Sequence, residues 1–186
     1  MDAIELLTTR SSNGKLTDPQ PDEETVSLAV DAALRAPDHA SLRPWRLQMV
    51  RGDARARLGD VFAEALAKRE PDATQQDLDK ARGKPLRAPL IIVVSTRHVE
   101  HPKVPAIEQV LSAGAAAQNI LLVLQARGFA GLWRTGPPTY DAHVRAALGL
   151  AADDQIVGFI YAGTPARPAP DIRRPSSADH VQEWSG

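Results

Sequence analysis

The run Leu90-Ile91-Ile92-Val93-Val94 decides the fold class of this chain. Five consecutive apolar residues, four of them β-branched, predict a strand that is buried on both faces of a sheet. The next apolar segment, residues 107–125, has helical length and contains a block of small residues at 113–117. Small side chains allow another element to pack closely, so this segment is predicted to be the central helix or a helix in a subunit interface.

Apolar periodicity and chain-breaking residues divide the rest of the chain into further elements. Helices are predicted over residues 2–9, 22–35, 54–68, 75–82 and 140–148, and strands over residues 47–50, 129–133 and 155–162. In the first helix, Leu6 and Leu7 are expected to face the core. Helices and strands alternate irregularly and no internal repeat occurs, so the pattern favours an α+β fold over a doubly wound sheet.

Composition limits the classes of function. The 186 residues are 43% hydrophobic and 24% charged, which is typical of one soluble globular domain. Lys and Arg number 22 against 23 Asp and Glu, and this balance argues against a nucleic-acid partner, which requires a basic excess or face. Cysteine is absent, which excludes disulfides, thiolate metal sites and thiol nucleophiles. Any redox chemistry would therefore need a cofactor.

The two ends of the sequence bear on location and on domain boundaries. The N-terminus has no basic region followed by a long apolar segment, and no run of about 18 apolar residues lacks polar breaks. We therefore expect a cytoplasmic protein without a membrane partner. The predicted domain spans residues 1–165, and a Pro-rich arm follows over residues 166–186. Two interpretations of the arm stay open at this point, a frayed terminus or an extended segment lying on a partner subunit.

Several familiar catalytic motifs are missing. Neither a Walker A loop nor a G-x-G-x-x-G sequence after a strand occurs. His98, Glu100 and His101 lack the helical spacing of a zinc protease, so no metal is expected. Residues 38–41 contain Asp, His and Ser without a nucleophile elbow, so a hydrolase is not favoured.

Basic and hydroxyl side chains recur in loops and at the ends of predicted elements. They are Arg10, Ser12, Lys15, Arg35, Arg134 and Thr135. Arg binds phosphate through a fork of donors, and each charge-assisted bond contributes ~1.5–3 kcal/mol. Hydroxyl groups suit a polyol chain. These residues alone allow either an anion-binding cradle or a set of scattered, solvated charges.

Six segments are shared, in order and with compatible spacing, with one enzyme family. They are residues 1–16, 35–39, 44–45, 88–91, 128–136 and 156–159. Together they resemble the FMN-dependent nitroreductase family, and most of all its short, single-domain bacterial NAD(P)H nitroreductases. The resemblance implies a mainly antiparallel central sheet flanked by helices, in an intertwined homodimer. Two FMN molecules would sit in clefts between the subunits, and the Pro-rich arm would have a partner to wrap.

The resemblance also implies which residues contact FMN. They are Arg10, Ser11, Ser12, Lys15, Arg35, His39, Trp133, Arg134 and Thr135. The basic residues of the first loop would balance the phosphate charge, and residues 35–39 would come from the other subunit. Ser11 stands where the family usually has Arg. Arg43 stands at a usual Gln position and is left out of the set.

The resemblance further implies a pyridine-nucleotide segment over the end of the long helix. It comprises Val123, Leu124, Gln125, Ala126, Arg127 and Gly128. NAD(P)H would pass hydride to flavin N5, and a small-molecule acceptor such as a nitroaromatic or quinone would then bind and be reduced. One cleft that serves two substrates in turn predicts ping-pong kinetics. No catalytic residue is nominated, because solvent can supply protons in an open site.

Three alternatives stay beside this interpretation. The first is another flavin oxidoreductase of the same fold. The second is a non-enzymatic protein that binds or stores flavin. The third is a protein–protein interaction module that has lost FMN, and the departures at Ser11 and Arg43 keep it open.

Overall fold

The computed structural model describes residues 2–169 and 174–186. Its helices are α1 (Ala3–Thr9), α2 (Glu23–Ala33), α3 (Asp53–Arg69), α4 (Gln75–Arg82), α5 (Ala106–Ala126), α6 (Pro137–Tyr140) and α7 (Ala142–Ala147). Its strands are β1 (Leu16–Thr17), β2 (Trp45–Arg51), β3 (Leu90–Thr96), β4 (Ala130–Arg134) and β5 (Ile156–Pro165).

The five strands form one antiparallel sheet. Strand β3 pairs with β2 on one side and with β5 on the other, and β5 also pairs with β4 and, at its C-terminal end, with β1. Every residue of β3 is buried. Because side chains alternate across a strand, Leu90, Ile92 and Val94 join a core with α2 and α5, while Ile91 and Val93 join a second core with α3. The predicted buried strand and α+β class are therefore confirmed.

Helix α5 occupies the position predicted for the central helix. Ala113, Ala116 and Ala117 are fully buried in the core shared with α2 and the sheet. Among the described residues, α5 is the one helix that is long and apolar enough to span a membrane by length and composition. Core helices of soluble proteins share that property, and α5 packs against the sheet in this fold.

One local prediction is wrong. Helix α1 forms as expected, but none of its residues is buried, and Leu7 is 58% exposed instead of facing the core. The predicted helix over residues 140–148 is confirmed as α7, and Tyr140 belongs to the preceding short helix α6. Asp141 has an extended backbone and caps α7, because its carboxylate accepts from the backbone N–H groups of His143 and Val144.

The chain after β5 stays close to the first loop. The backbone N–H of Ala166 donates to the Lys15 carbonyl at 2.9 Å, and the Asn13 amide donates to the Arg167 carbonyl at 2.8 Å. The Arg174 guanidinium donates to the Arg10 carbonyl at 2.7 Å. These bonds place the start of the Pro-rich segment against the loop between α1 and β1, and the division at residue 165 stays a prediction.

Candidate functional site

The loop between α1 and β1 is held against strand β4. The backbone N–H of Asn13 donates to the Gly131 carbonyl, and the Asn13 side chain accepts from the N–H of Lys15 at 3.0 Å. Gly14 allows this close approach, since a Cβ there would lie 3.1 Å from the Leu132 side chain. The loop thereby brings its hydroxyl and basic side chains beside Arg134 at the end of β4.

A cavity of about 710 Å³, the outer cavity, opens between this loop and the sheet. Its polar side chains include those of Ser12, Lys15, Arg87, Arg134 and Arg167. Within residues 2–169 and 174–186, no acidic residue lines this cavity, and none of its four cations forms an ion pair. Four unpaired cations around one cavity produce a positive potential that suits a phosphate.

A smaller cavity of about 110 Å³, the inner cavity, lies behind the outer one, and Arg87 and Arg134 line both. Lys84, Thr135 and Tyr161 complete its polar wall. The Arg134 guanidinium lies 5.6 Å from the centre of the Tyr161 ring, a distance typical of a cation–π contact.

Two groups of the inner cavity have shifted pKa values. Burial lowers the pKa of the Lys84 ammonium, and the positive charges of Arg87, Arg69 and Arg134 lower it further against a small opposing effect of Glu70. Burial also raises the pKa of the Tyr161 phenol, so the phenol stays a neutral hydrogen-bond donor. The electrostatics of this wall therefore favour a negatively charged guest.

A third cavity, of about 560 Å³, lies on the other side of the loop and is called the side cavity. Ser11, Gln125 and Gly128 line it, together with residues 129–131 and 165–169. The backbone N–H of Ser11 donates to the Gln125 side chain at 3.2 Å, which links the loop to the end of α5. The side cavity therefore contains part of the predicted pyridine-nucleotide segment.

Arg35 and His39 lie elsewhere in this protomer. Arg35 lines a surface groove with Asp38, Arg43 and other residues, and that groove shares no residue with the outer or inner cavity. The His39 Nδ1 lies 2.7 Å from the Glu108 carboxylate near the start of α5. Within one chain, these two predicted FMN contacts are therefore not brought to the cavities around Arg134.

The other predicted FMN contacts divide into two groups. Ser12, Lys15, Arg134 and Thr135 line the outer or the inner cavity. Arg10 lines neither, and Ser11 reaches only the side cavity. Trp133 packs against the core, where its indole N–H donates to the Val157 carbonyl at 3.2 Å.

The predicted nucleotide segment is also heterogeneous. Leu124 is fully buried, so its side chain offers no surface to a ligand, and Val123 packs against the same core. Arg127 pairs with Glu24 at 2.9 Å. Val123, Ala126 and Arg127 line an apolar groove on the α2 side, away from the side cavity.

Sequence reasoning missed Lys84, Arg87 and Arg167 as residues of these cavities. Lys84 and Arg87 immediately precede the buried strand β3, and Arg167 immediately follows β5. Arg134 drew attention because it is a cation at a strand end. The same criterion, applied to residues 84–87 and 165–167, would have found all three.

Comparisons with known proteins agree with this architecture. A sequence model of the nitroreductase family matches residues 7–164. The chain belongs to the nitroreductase family. This confirms the resemblance drawn from the sequence and identifies the chain as an enzyme of an oxidoreductase family.

Individual nitroreductase relatives cover nearly the whole chain. The "Putative NAD(P)H nitroreductase YdjA" of Escherichia coli (strain K12) is 43% identical over 166 residues, which is 89% of each chain. A nitroreductase-like family protein from Bacillus cereus is similar in structure, with a TM-score of 0.84 at 22% identity over 100% of this chain and 97% of that one. A "putative nitroreductase in complex with fmn" from Desulfovibrio desulfuricans has a TM-score of 0.73 at 25% identity, over 100% of this chain and 99% of that one. The nitroreductase-like antiparallel fold predicted from the sequence is thus confirmed.

Proposed function

We propose that this protein is an FMN-dependent oxidoreductase that passes hydride from NAD(P)H to a nitroaromatic, quinone or related acceptor by a ping-pong mechanism. The observation that carries the proposal is the outer cavity, where Lys15, Arg87, Arg134 and Arg167 converge without a carboxylate among the lining residues that the structure describes. A relative of known structure carries FMN, and a curated relative is named for NAD(P)H.

The donors of the outer cavity fit the phosphate end of FMN. A phosphate monoester carries about −1.5 to −2 charges near neutral pH, and guanidinium and ammonium groups bind it through charge-assisted bonds. The Ser12 hydroxyl adds a neutral donor beside them. The chain has no cysteine and so no thiol redox group. When bound, FMN supplies the hydride chemistry.

On this proposal, the chain's own residues bind and orient the cofactor. Lys15 and Arg134 hold the phosphate end from two sides, because the loop and β4 are fixed to each other through Asn13. On this proposal, Gln125 and Gly128 of the side cavity would contact the pyridine nucleotide. No side chain is assigned a proton-transfer role, since solvent reaches both open cavities.

The proposal includes a homodimer. Large apolar side chains are exposed on α1, α2 and α5 of the protomer, namely Ile4, Leu7, Leu28, Leu34, Ile107 and Leu111. A surface with this many exposed apolar side chains is typical of an interface. Arg35 and His39 would complete the FMN site of the partner subunit, the C-terminal arm would lie on that subunit, and the cytoplasmic location stays a prediction.

The test uses the visible spectrum of the purified protein and its response to NAD(P)H. We expect bound flavin, rapid loss of its absorbance under anaerobic NADH or NADPH, and parallel double-reciprocal plots with a nitroaromatic acceptor. The variant Lys15→Ala/Arg134→Ala should purify without flavin and keep the far-ultraviolet circular dichroism of the wild type.

A matched control removes two cations from the exposed face of α4. Lys80→Ala/Arg82→Ala eliminates the same charge, and both residues pair with carboxylates outside the cavities, so this variant should stay yellow. A double variant at Lys15 and Arg134 that stays yellow would contradict the phosphate assignment. Bound flavin that NAD(P)H does not bleach would instead identify a flavin-storage protein.

A further inference from the structure

The inner cavity combines five donors around a small volume. The cations are those of Lys84, Arg87 and Arg134, and the hydroxyl groups are those of Thr135 and Tyr161. No acidic side chain lines it in the described part of the chain. Among the residues that the structure describes, none of the three cations has an ion-pair partner.

The charge of the two cavities exceeds what one phosphate neutralises. Together they contain five cations, namely Lys15, Lys84, Arg87, Arg134 and Arg167. One phosphate monoester carries about −1.5 to −2 charges, which leaves about three positive charges without a counter-charge. Cations that are partly removed from water and unpaired are costly, so a second anion beside the first would stabilise the protein.

We propose that the inner cavity is a second anion site, which binds one compact oxyanion such as a phosphate, sulfate or carboxylate group. Its volume of about 110 Å³ holds a few water molecules or one such group and is too small for a nucleotide or a flavin ring. The Tyr161 phenol donates to the anion from the floor, and Lys84 reaches it from the segment before β3. The assignment of the neighbouring outer cavity to the FMN phosphate rests on the proposed function.

The oxyanion could be a free ion or a group carried by a substrate. An extra phosphate of the reducing nucleotide and a carboxylate of the acceptor have the same recognition chemistry as inorganic phosphate. Because Arg87 and Arg134 line both cavities, an anion in the inner cavity lies close to the cofactor phosphate. The site is therefore placed where an anionic substrate group would be held beside the cofactor.

The test titrates inorganic phosphate into the FMN-saturated protein by calorimetry, with sodium chloride at equal ionic strength as the blank. We expect wild type and the surface control Lys80→Gln to bind phosphate, and Lys84→Gln to bind it about tenfold more weakly or worse. Tyr161→Phe, which keeps the ring beneath Arg134, should weaken binding in the same direction. The flavin content of both inner-cavity variants should equal that of wild type.

Three results would overturn the proposal. The first is no phosphate binding by wild type, and the second is equal binding by wild type and Lys84→Gln. The third is loss of flavin from Lys84→Gln, which would make the inner cavity part of the cofactor site. Flavin content is read separately from phosphate binding, so a colourless wild type would defeat the proposed function without deciding this one.

Steady-state kinetics then distinguish the sources of the oxyanion. If phosphate raises KM for NADPH and leaves KM for NADH unchanged, the inner cavity takes the additional phosphate of the nucleotide. If it raises KM only for acceptors that carry a carboxylate, the cavity takes the acceptor. If it binds without changing any KM, the ligand is the free ion.

Discussion

Two basic regions of this chain differ in how their charges are matched. Around the outer and inner cavities, none of the described lining residues is acidic. In the loop after α2, by contrast, His39 contacts Glu108, and the Asp38 carboxylate accepts from the backbone N–H of Arg43 at 2.7 Å. The described walls of the cavities contain cations without acidic residues, whereas the loop contains Asp38 and contacts the carboxylate of Glu108.

The backbones of the two regions also differ. The cavity walls are strand ends and a loop tied to β4 by main-chain bonds. The other region contains three non-glycine residues with positive φ, Ala40 at 61°, Ser41 at 54° and Arg43 at 53°. Such conformations persist when surroundings or function enforce them. On the proposed function, the cavities form an anion site within one chain, whereas a partner subunit would complete the loop.

The largest expected effect tests whether the two regions serve one site across a subunit boundary. Variant A, Lys15→Ala/Arg134→Ala, and variant B, Arg35→Ala/His39→Ala, should each purify without flavin. After the two are mixed, unfolded and refolded together, about one quarter of the sites should regain FMN. Random pairing makes about half of the dimers mixed, and each mixed dimer has one intact site of its two.

Flavin absorbance per protomer measures this recovery after size-exclusion chromatography. Refolding of either variant alone is the control and should recover no flavin. If the mixture also stays colourless, both regions act within the same subunit, and the proposed division of the site is wrong.

A smaller effect should follow from crowding the strand that supports the cavity wall. A Cβ on Gly158 would overlap the Trp133 indole and lie 3.0 Å from the Arg134 carbonyl oxygen. Gly158→Ala should therefore push β4 away from β5 and destabilise the protein by ~1–3 kcal/mol, as overpacking does. Urea unfolding measures the loss, and flavin affinity should fall with it.

Gly83→Ala provides the matched control. Gly83 has φ of −75°, which any residue adopts, and its Cβ would lie 3.4 Å from the nearest atom, the Asp79 carbonyl oxygen. This variant should be neutral or stabilising by up to about 1 kcal/mol. Equal destabilisation by the two substitutions would show that the junction of β4 and β5 is not a rigid wall.

The sequence was sufficient for the elements whose burial is uniform. The apolar run at residues 90–94 predicts a strand with two covered faces, and residues 22–35 carry an acidic start and a helical apolar period; both elements form. It failed for α1, where Leu6 and Leu7 do not reach the core of the chain. A periodic apolar face predicts that a helix covers something, but it does not say whether that surface belongs to the same chain.

The candidate functional site shows the same limit of prediction from sequence. Lys15 and Arg134 could be predicted because each lies in a segment that resembles the family. The same strand-end criterion selects Lys84 and Arg87, but it does not predict that they join Arg134. That grouping depends on the pairing of β3 with β5, which joins residues about 70 positions apart. The grouping of charges is a property of the strand order.

The smallest expected effect concerns the contact between His39 and Glu108. The two side chains are 56% and 42% exposed, and exposed ion pairs contribute about 0–1 kcal/mol. A double-mutant cycle of His39→Gln and Glu108→Gln, measured by urea unfolding, should therefore give a coupling free energy below about 1 kcal/mol. Such a small value means that His39 can leave Glu108 for another partner without loss of the fold. His39 must be able to do so if it contacts a flavin across the subunit boundary. A coupling energy of about 2 kcal/mol or more would mean that the loop is already complete in its own chain, and the contrast between the two basic regions would disappear.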